Sequence, residues 1–170
     1  MLIRPERPEE FATIRALVEV AFRTAPHADG DEHEYVDRLR AGPTYLPELA
    51  LVLEENGVLL GHIMLTRLAV VAASANHPVL LLSPVCVRAD RRNAGFGSQL
   101  IREALSRARA AGHGAVVLVG APDYYRRFGF RCSTDFGIFN VSGFAAENVM
   151  ACELVPGALG DVRGTVSFPS

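Results

Sequence analysis

Lysine is absent: all 17 basic side chains of the chain are arginines. That absence excludes several chemistries. There is no lysine to form a Schiff base with pyridoxal phosphate. There is none to complete a G-x-x-x-x-G-K-[ST] phosphate loop, or the site of a protein kinase or a class A β-lactamase. Any anion bound here must be held by arginine and by backbone N–H groups. Cysteine is scarce. Cys86, Cys132 and Cys152 are odd in number and widely spaced, which is neither a disulfide framework nor a zinc pattern and suits a reducing compartment. An excess of one charge is lacking too. The balance is 17 − 19 = −2, so no global basic field invites nucleic acid. No apolar run approaches the roughly 18 residues of a membrane helix. The opening Met1-Leu2-Ile3-Arg4-Pro5-Glu6 has no apolar core of a signal peptide. The expectation is a cytoplasmic protein with no membrane or nucleic-acid partner.

Repeats, linkers and charge runs are missing as well. A chain of 170 residues is then expected to be one domain, spanning 1–170, with room for a real core. Its 49% apolar and 21% charged residues belong to a packed globular chain rather than a disordered one.

Periodicity supplies the elements. Leu2–Arg4 reads as a short strand. Pro8, followed by Glu9 and Glu10, marks a helix start, because proline fits the first turn and the helix dipole favours anions there. Phe11, Ile14, Leu17, Val18, Ala21 and Phe22 then recur at helical spacing through Arg23. His27–Asp31 is a polar loop, and Glu32–Arg40 a second short helix stopped at Gly42-Pro43. The period then changes. Leu49–Glu54 and Val58–Leu65 are strands around Asn56-Gly57, a strong hairpin signal, and the second extends through Val71. Ala72–His77 is a turn. Val79–Val87 is a strand in which Pro84, unable to donate to a ladder, predicts a bulge. A helix follows from Ser98 to Ala111, its apolar face Leu100, Ile101, Ala104, Leu105 and Ala108, with Glu103 placed to pair with Arg107. Ala115–Val119 is a buried strand, Asp123–Phe128 a short helix closed by Gly129. Phe130–Arg131, Gly137–Phe139 and Val149–Leu154 are further strands, and the last fifteen residues are weakly specified.

The chemistry concentrates at Val85–Gly97. A buried strand enters a turn holding Gly95 and Gly97, and the turn opens a helix. Such a junction aims free N–H groups and the positive end of a helix dipole at one point. Glycine lets a backbone approach a phosphate closely. Arg88, Arg91 and Arg92 add charge nearby. The reading is a diphosphate-binding turn, although a lone Gly-x-Gly is equally compatible with a tight turn that binds nothing. A dinucleotide fold is disfavoured. A third glycine is missing at Leu100, no acidic residue follows about 20 positions on, and the motif is mid-chain.

Arg92-Asn93-Ala94-Gly95-Phe96-Gly97 resembles the [QR]-x-x-G-x-[GA] motif of the GNAT superfamily of N-acetyltransferases, and it follows a strand ending Val85-Cys86-Val87 as in that family. Tyr125-Arg126-Arg127-Phe128-Gly129-Phe130 is similar to the family's Y-x-x-x-G-F segment. The stretch Gly120–Phe130 is similar to the G-D-P-x-Y-Y-x-R-F-G-F run of a subgroup of small predicted bacterial acetyltransferases. The resemblance is sharp over residues 82–131 and vague before 45 and after 140. It implies an α/β (α+β) fold with a mixed, mostly antiparallel central sheet flanked by helices, and a splayed strand pair holding CoA. The co-substrate it implies is acetyl-CoA, bound by Val85, Cys86 and Val87 along the strand and by Arg92, Asn93, Ala94, Gly95, Phe96, Gly97 and Ser98 in the turn. Tyr125 is its implied catalytic acid, giving the departing thiolate a proton, with Tyr124 the weaker candidate. The implied reaction is direct attack by a primary amine on the thioester in a ternary complex, in a monomer or a homodimer.

Departures from the family pattern keep other readings open. No Asn stands shortly before Tyr125, and Gly-Asp-Pro reads Gly120-Ala121-Pro122, the acid moving to Asp123. The central strand offers Ser83 and Pro84 where a base is expected, and no carboxylate. The base is then a water chain, His62, Glu32 or Glu34. A non-catalytic acyl-CoA-binding or regulatory domain is the alternative. His62 alone reads as a structural strand histidine and Cys86 as a buried thiol. Arg126, Arg127 and Arg131 fit either contact with the 3′-phosphate of CoA or a solvated helix face. His27, Asp29, Asp31 and His33 fit neither an EF-hand nor a zinc site, so no metal is expected.

Overall fold

A computed structural model of the chain describes residues 1–25 and 28–170. Among them nine strands and four α-helices alternate in the order β1 (Leu2–Pro5), α1 (Phe11–Arg23), α2 (Glu32–Ala41), β2 (Ala50–Glu55), β3 (Val58–Val71), β4 (Asn76–Val87), α3 (Phe96–Ala110), β5 (Ala115–Val119), α4 (Pro122–Tyr125), β6 (Arg131–Cys132), β7 (Ile138–Asn140), β8 (Val149–Glu153) and β9 (Gly164–Val166). The strands join in the order β1-β2-β3-β4-β5-β8-β6, with β9 pairing β3 and β7. Two compact units result. One is Met1–Thr66 with Ser83–Arg107, the other Arg67–Leu82 with Ala108–Ser170.

In the first unit β1, β2 and the start of β3 form an antiparallel meander, with Ile3 opposite Leu53 and Val52 opposite His62. The β2–β3 turn is set by Asn56 at φ 52° and Gly57 at φ 80°. These left-handed values match the strand twist and favour Asn-Gly. Helices α1 and α2 cover the meander. Ile14, Leu17, Val18 and Ala21 of α1, with Val36 and Leu39 of α2, pack on Ala50, Val52, Met64 and Cys86. These α1 residues are the apolar stripe read from the sequence, since spacing of three and four places side chains on one helix face.

In the second unit β5 carries the ladder. It pairs antiparallel with β8 from Ala115 opposite Glu153 to Val119 opposite Val149. It pairs parallel with β4 at Leu80–Val116 and Leu81–Val117. The Ser83–Pro84 peptide, two residues further along β4, is cis. The core of this unit is Val70, Val79, Ala115, Val117, Ile138, Ala151, Leu159 and Val166. The sheet is mixed and mostly antiparallel. No helix among the described residues is long and apolar enough to cross a membrane.

Three elements differ from the sequence expectation. Helix α3 begins at Phe96 rather than Ser98, so Gly97 is already helical. Strand β4 begins at Asn76, inside the stretch expected to turn. The weakly specified C-terminal stretch contains β9, three residues that pair with both Val71 and β7.

Candidate active site

The turn before α3 is built by two left-handed residues, Asn93 at φ 63° and Gly95 at φ 84°. The first intrahelical hydrogen bond runs from Gln99 N–H to the Gly95 carbonyl, at 3.1 Å. The N–H groups of Phe96, Gly97 and Ser98 therefore have no acceptor inside the helix, as at any helix start. A Cβ built on Gly95 meets nothing within 4 Å, so the glycine serves the backbone angle and leaves the approach open. The adjoining strand is held close. The Arg88 N–H donates to the Leu60 carbonyl at 2.8 Å. A Cβ on Gly61 would come within 2.8 Å of Leu100 Cδ1 and 3.0 Å of the Cys86 carbonyl. Gly61 thus lets α3 and the Val85–Val87 end of β4 pack tightly on β3.

Each arginine around the turn has a partner. Arg88 donates twice to Asp90, at 3.1 and 2.8 Å, and Arg91 donates to Glu55 at 2.7 Å. Arg92 donates to the Ala21 carbonyl near the end of α1. The backbone amides remain as the unpaired donors of the turn. Cys86 is buried. Burial pushes its thiol up to about 12, against a hydrogen bond from the His62 backbone N–H and the Arg92 charge, so it keeps its proton.

Tyr125 ends α4 in the second unit. A Cβ on Gly120 would lie within 2.9 Å of Tyr125 Cδ2 and closer still to Cε2. The ring is set edge-on to Tyr124, centroids 5.0 Å apart, and to Phe130, 5.9 Å apart. Burial, with a smaller contribution from Tyr124, pushes the Tyr125 hydroxyl up to about 12. Tyr124 instead lies under the Arg127 guanidinium, 4.7 Å from ring centroid to Cζ. Arg126 pairs weakly with Asp123 at 3.5 Å, and Arg131 with Asp135 at 3.6 Å.

A buried polar cluster was not expected from the sequence. The Glu6 side chain is wholly buried and its carboxylate accepts four hydrogen bonds. Arg40 donates two, from Nε at 2.8 Å and Nη2 at 2.9 Å; Tyr45 donates one from its hydroxyl at 2.7 Å, and His62 one from Nε2 at 2.8 Å. Burial would raise the Glu6 carboxyl, but the bonds from Arg40 and His62 outweigh it and hold it at about 2. Glu6 is therefore ionised and accepts only, which places the His62 proton on Nε2. The opposite ring nitrogen, Nδ1, is buried and has no partner. The Arg40 guanidinium also stacks on Phe11, 4.0 Å from the ring centroid. No local pattern announces this cluster, since its members stand 34 to 56 residues apart from Glu6.

Of the other candidate bases, Glu32 is engaged. Its carboxylate accepts the N–H groups of Asp29 at 2.7 Å and Gly30 at 3.0 Å. Asp29, Asp31 and Glu32 bring carboxylates within 4.8 Å of one another on the surface; His27 lies outside the described residues. Glu34 is exposed. An apolar groove of about 640 Å³ between α1 and the β2–β3 turn, rimmed by Arg88 and Asp90, contains none of the residues expected to bind CoA.

A strand, a glycine turn opening a helix, and an aromatic-set tyrosine on a mixed sheet are the parts of an acyltransferase fold. Residues 2–133 match the family model described as an acetyltransferase (GNAT) domain, and the chain belongs to that family. It is 34% identical to a GNAT family acetyltransferase from Brucella melitensis solved with acetyl-CoA, covering 99% of this chain and 96% of that one at a TM-score of 0.80. It is 25% identical to the GNAT protein YhbS of Escherichia coli solved with CoA, covering 99% and 89% at a TM-score of 0.87. It is also 32% identical over 108 residues to the N-acetyltransferase YjhQ of Escherichia coli (strain K12). That match spans 62% of this chain and 59% of the relative, so the chain covers less than two thirds of that relative's length.

Proposed function

We propose that this protein transfers the acetyl group of acetyl-CoA to a primary amine by direct attack in a ternary complex. The observation that carries the reading is the turn before α3, whose Phe96, Gly97 and Ser98 amides lack intrahelical acceptors. It stands in a chain similar to proteins solved with CoA and with acetyl-CoA. The family match through residues 2–133 crosses both compact units and supports reading 1–170 as a single domain.

In this reading the pyrophosphate lies on the amides of Arg92–Ser98, as anions lie at helix N-termini. With Arg88 and Arg91 ion-paired, the backbone amides and the charge of Arg92 are left for recognition. The pantetheine arm runs along Val85, Cys86 and Val87 and takes their backbone groups. The thioester carbonyl then gains a strand N–H near Val85 as oxyanion donor. Tyr125 protonates the leaving thiolate. Its raised hydroxyl keeps the proton through the neutral range, which a donor requires. An amine acceptor arrives as an ammonium and must lose a proton before it can attack. The compartment we assign is the cytoplasm, on the three free cysteines.

Calorimetry tests the cofactor. Saturable binding of acetyl-CoA, weakened when Gly95 is replaced by a bulky residue, is expected; no binding at millimolar ligand would refute the reading. Binding without turnover on any amine would instead support the alternative, a non-catalytic acyl-CoA-binding domain.

A further inference from the structure

We propose that His62 receives the proton of the acceptor amine, with Glu6 as its positioning residue; the inference rests on the acetyltransferase reading above. The Glu6–His62 pair is wholly buried, with 2.8 Å between Glu6 Oε1 and His62 Nε2. An ionised carboxylate accepts only, so it holds the imidazole as the Nε2–H tautomer and leaves the lone pair on Nδ1. Carboxylates orient catalytic imidazoles by this division of labour.

Three further observations favour a role in proton transfer over a role in packing. First, Nδ1 is buried without a partner. Buried polar atoms are nearly always satisfied, so an exception calls for a specific reason. Second, the Glu6 charge is already balanced by the two bonds from Arg40. His62 is not needed as its counterion. Third, the dyad adjoins the strand assigned to the pantetheine arm, since β3 is bonded to the end of β4 by the Arg88 N–H, which donates to the Leu60 carbonyl at 2.8 Å.

The groups facing His62 from the elements around it offer no rival. Tyr45 spends its hydroxyl on Glu6. Arg40 is a permanent cation. On β4 the Cys86 thiol stays protonated. The partner residue on β2 is Val52, and α1 presents the apolar Ile14, Leu17 and Val18 to this core. Tyr35 is no rival either, because burial opposes the ionisation of its hydroxyl.

The ammonium passes one proton through a single water to His62 Nδ1. The amine lone pair then attacks the thioester carbonyl, the C–N bond forms, and collapse of the tetrahedral adduct breaks the C–S bond. The nitrogen loses a second proton as the amide forms, the CoA thiolate gains one, and the imidazole returns its proton to solvent. One proton is released per turnover.

The test compares kcat/KM from pH 5.5 to 9.5 for the wild type and His62→Gln, with acetyl-CoA affinity measured by calorimetry on both. Gln can still donate to Glu6 but cannot take up a proton. The expected result is a loss of roughly 10²-fold in kcat/KM at neutral pH, in the usual range for a lost general base. The wild-type acidic limb should give way in the variant to a rise that follows only the acceptor amine's own ionisation, with acetyl-CoA affinity unchanged within threefold. A merely structural role would lower activity equally at every pH and keep the limb, and that outcome overturns the proposal, as does full activity in the variant. Should His62→Gln fail to fold, histidine-labelled wild-type protein decides by nitrogen NMR. The Nε2–H tautomer, with the lone pair on Nδ1, is expected; an Nδ1–H tautomer overturns it. Failure of the wild type to bind acetyl-CoA at all would instead remove the acetyltransferase reading.

Discussion

The α-carbon of Gly120 lies against the ring of Tyr125, so near that an added methyl would fall within 2.9 Å of Cδ2. The glycine therefore sets where the hydroxyl stands. Gly120→Ala is expected to displace the ring and cut kcat by at least tenfold. Its thermal midpoint should fall by only a few degrees, because the ring sits on a surface-proximal turn. Steady-state kinetics with a melting curve checks this; wild-type kcat in the variant would show that the ring position does not matter.

Tyr125→Phe keeps the ring and removes the proton donor. Turnover should fall by about 10²-fold where thiolate protonation limits the rate, and acetyl-CoA affinity should stay nearly constant. The hydroxyl is pushed up to about 12, so it remains a donor across the working range and should add no basic limb below pH 10. Equal activity of Tyr125→Phe at every pH would refute the acid role.

Glu6 makes stability depend on acid. Its carboxyl is held at about 2, below the ordinary value of about 4.3. A depressed carboxylate stabilises the fold above the unfolded value and loses that contribution as pH falls toward 2. About 3 kcal/mol is at stake. Glu6→Gln should lose a similar amount at pH 7, because it strands the buried Arg40, and its stability should then fall less than the wild type's between pH 5 and 2.5. Urea midpoints for both proteins across that range provide the check, and parallel acid curves would contradict it.

Gly95 adopts φ 84° with open space around it. Gly95→Val meets no clash but is strained by about 1–2 kcal/mol in that left-handed conformation. The expected relief is a shift of the amides that follow, weakening acetyl-CoA by about tenfold with the fold intact by circular dichroism. Unchanged affinity would remove the turn from the cofactor site.

The three thiols should differ in reactivity. Burial holds Cys86 at about 12 and Cys152 at about 11, while Cys132 is half-exposed. Mass spectrometry after brief alkylation at pH 8 should find Cys132 labelled first. Early labelling of Cys86 would mean that β4 opens in solution.

Legibility in the sequence followed the range of the forces involved. The β2–β3 turn was plain because Asn56 and Gly57 carry the needed positive φ themselves. Helix α1 was plain because four residues on one face repeat locally. Strand β9 was not, because three residues show no period and are held only by Val71 and β7. The role of Arg92 was legible in charge but not in partner, since the Ala21 carbonyl is 71 residues away. The Glu6 cluster was hidden for the same reason. Gly120 stood in a quoted motif, yet only the folded backbone explains it, through the ring it admits.

The central claim is that this chain acetylates an amine, and thiol release from acetyl-CoA across a panel of amines, amino acids and peptides tests it most directly. The account predicts sustained release, many turnovers per protein, with at least one acceptor, and matching acetylated product by mass spectrometry. Saturable acetyl-CoA binding with no release above the acceptor-free rate on any member of the panel would contradict it.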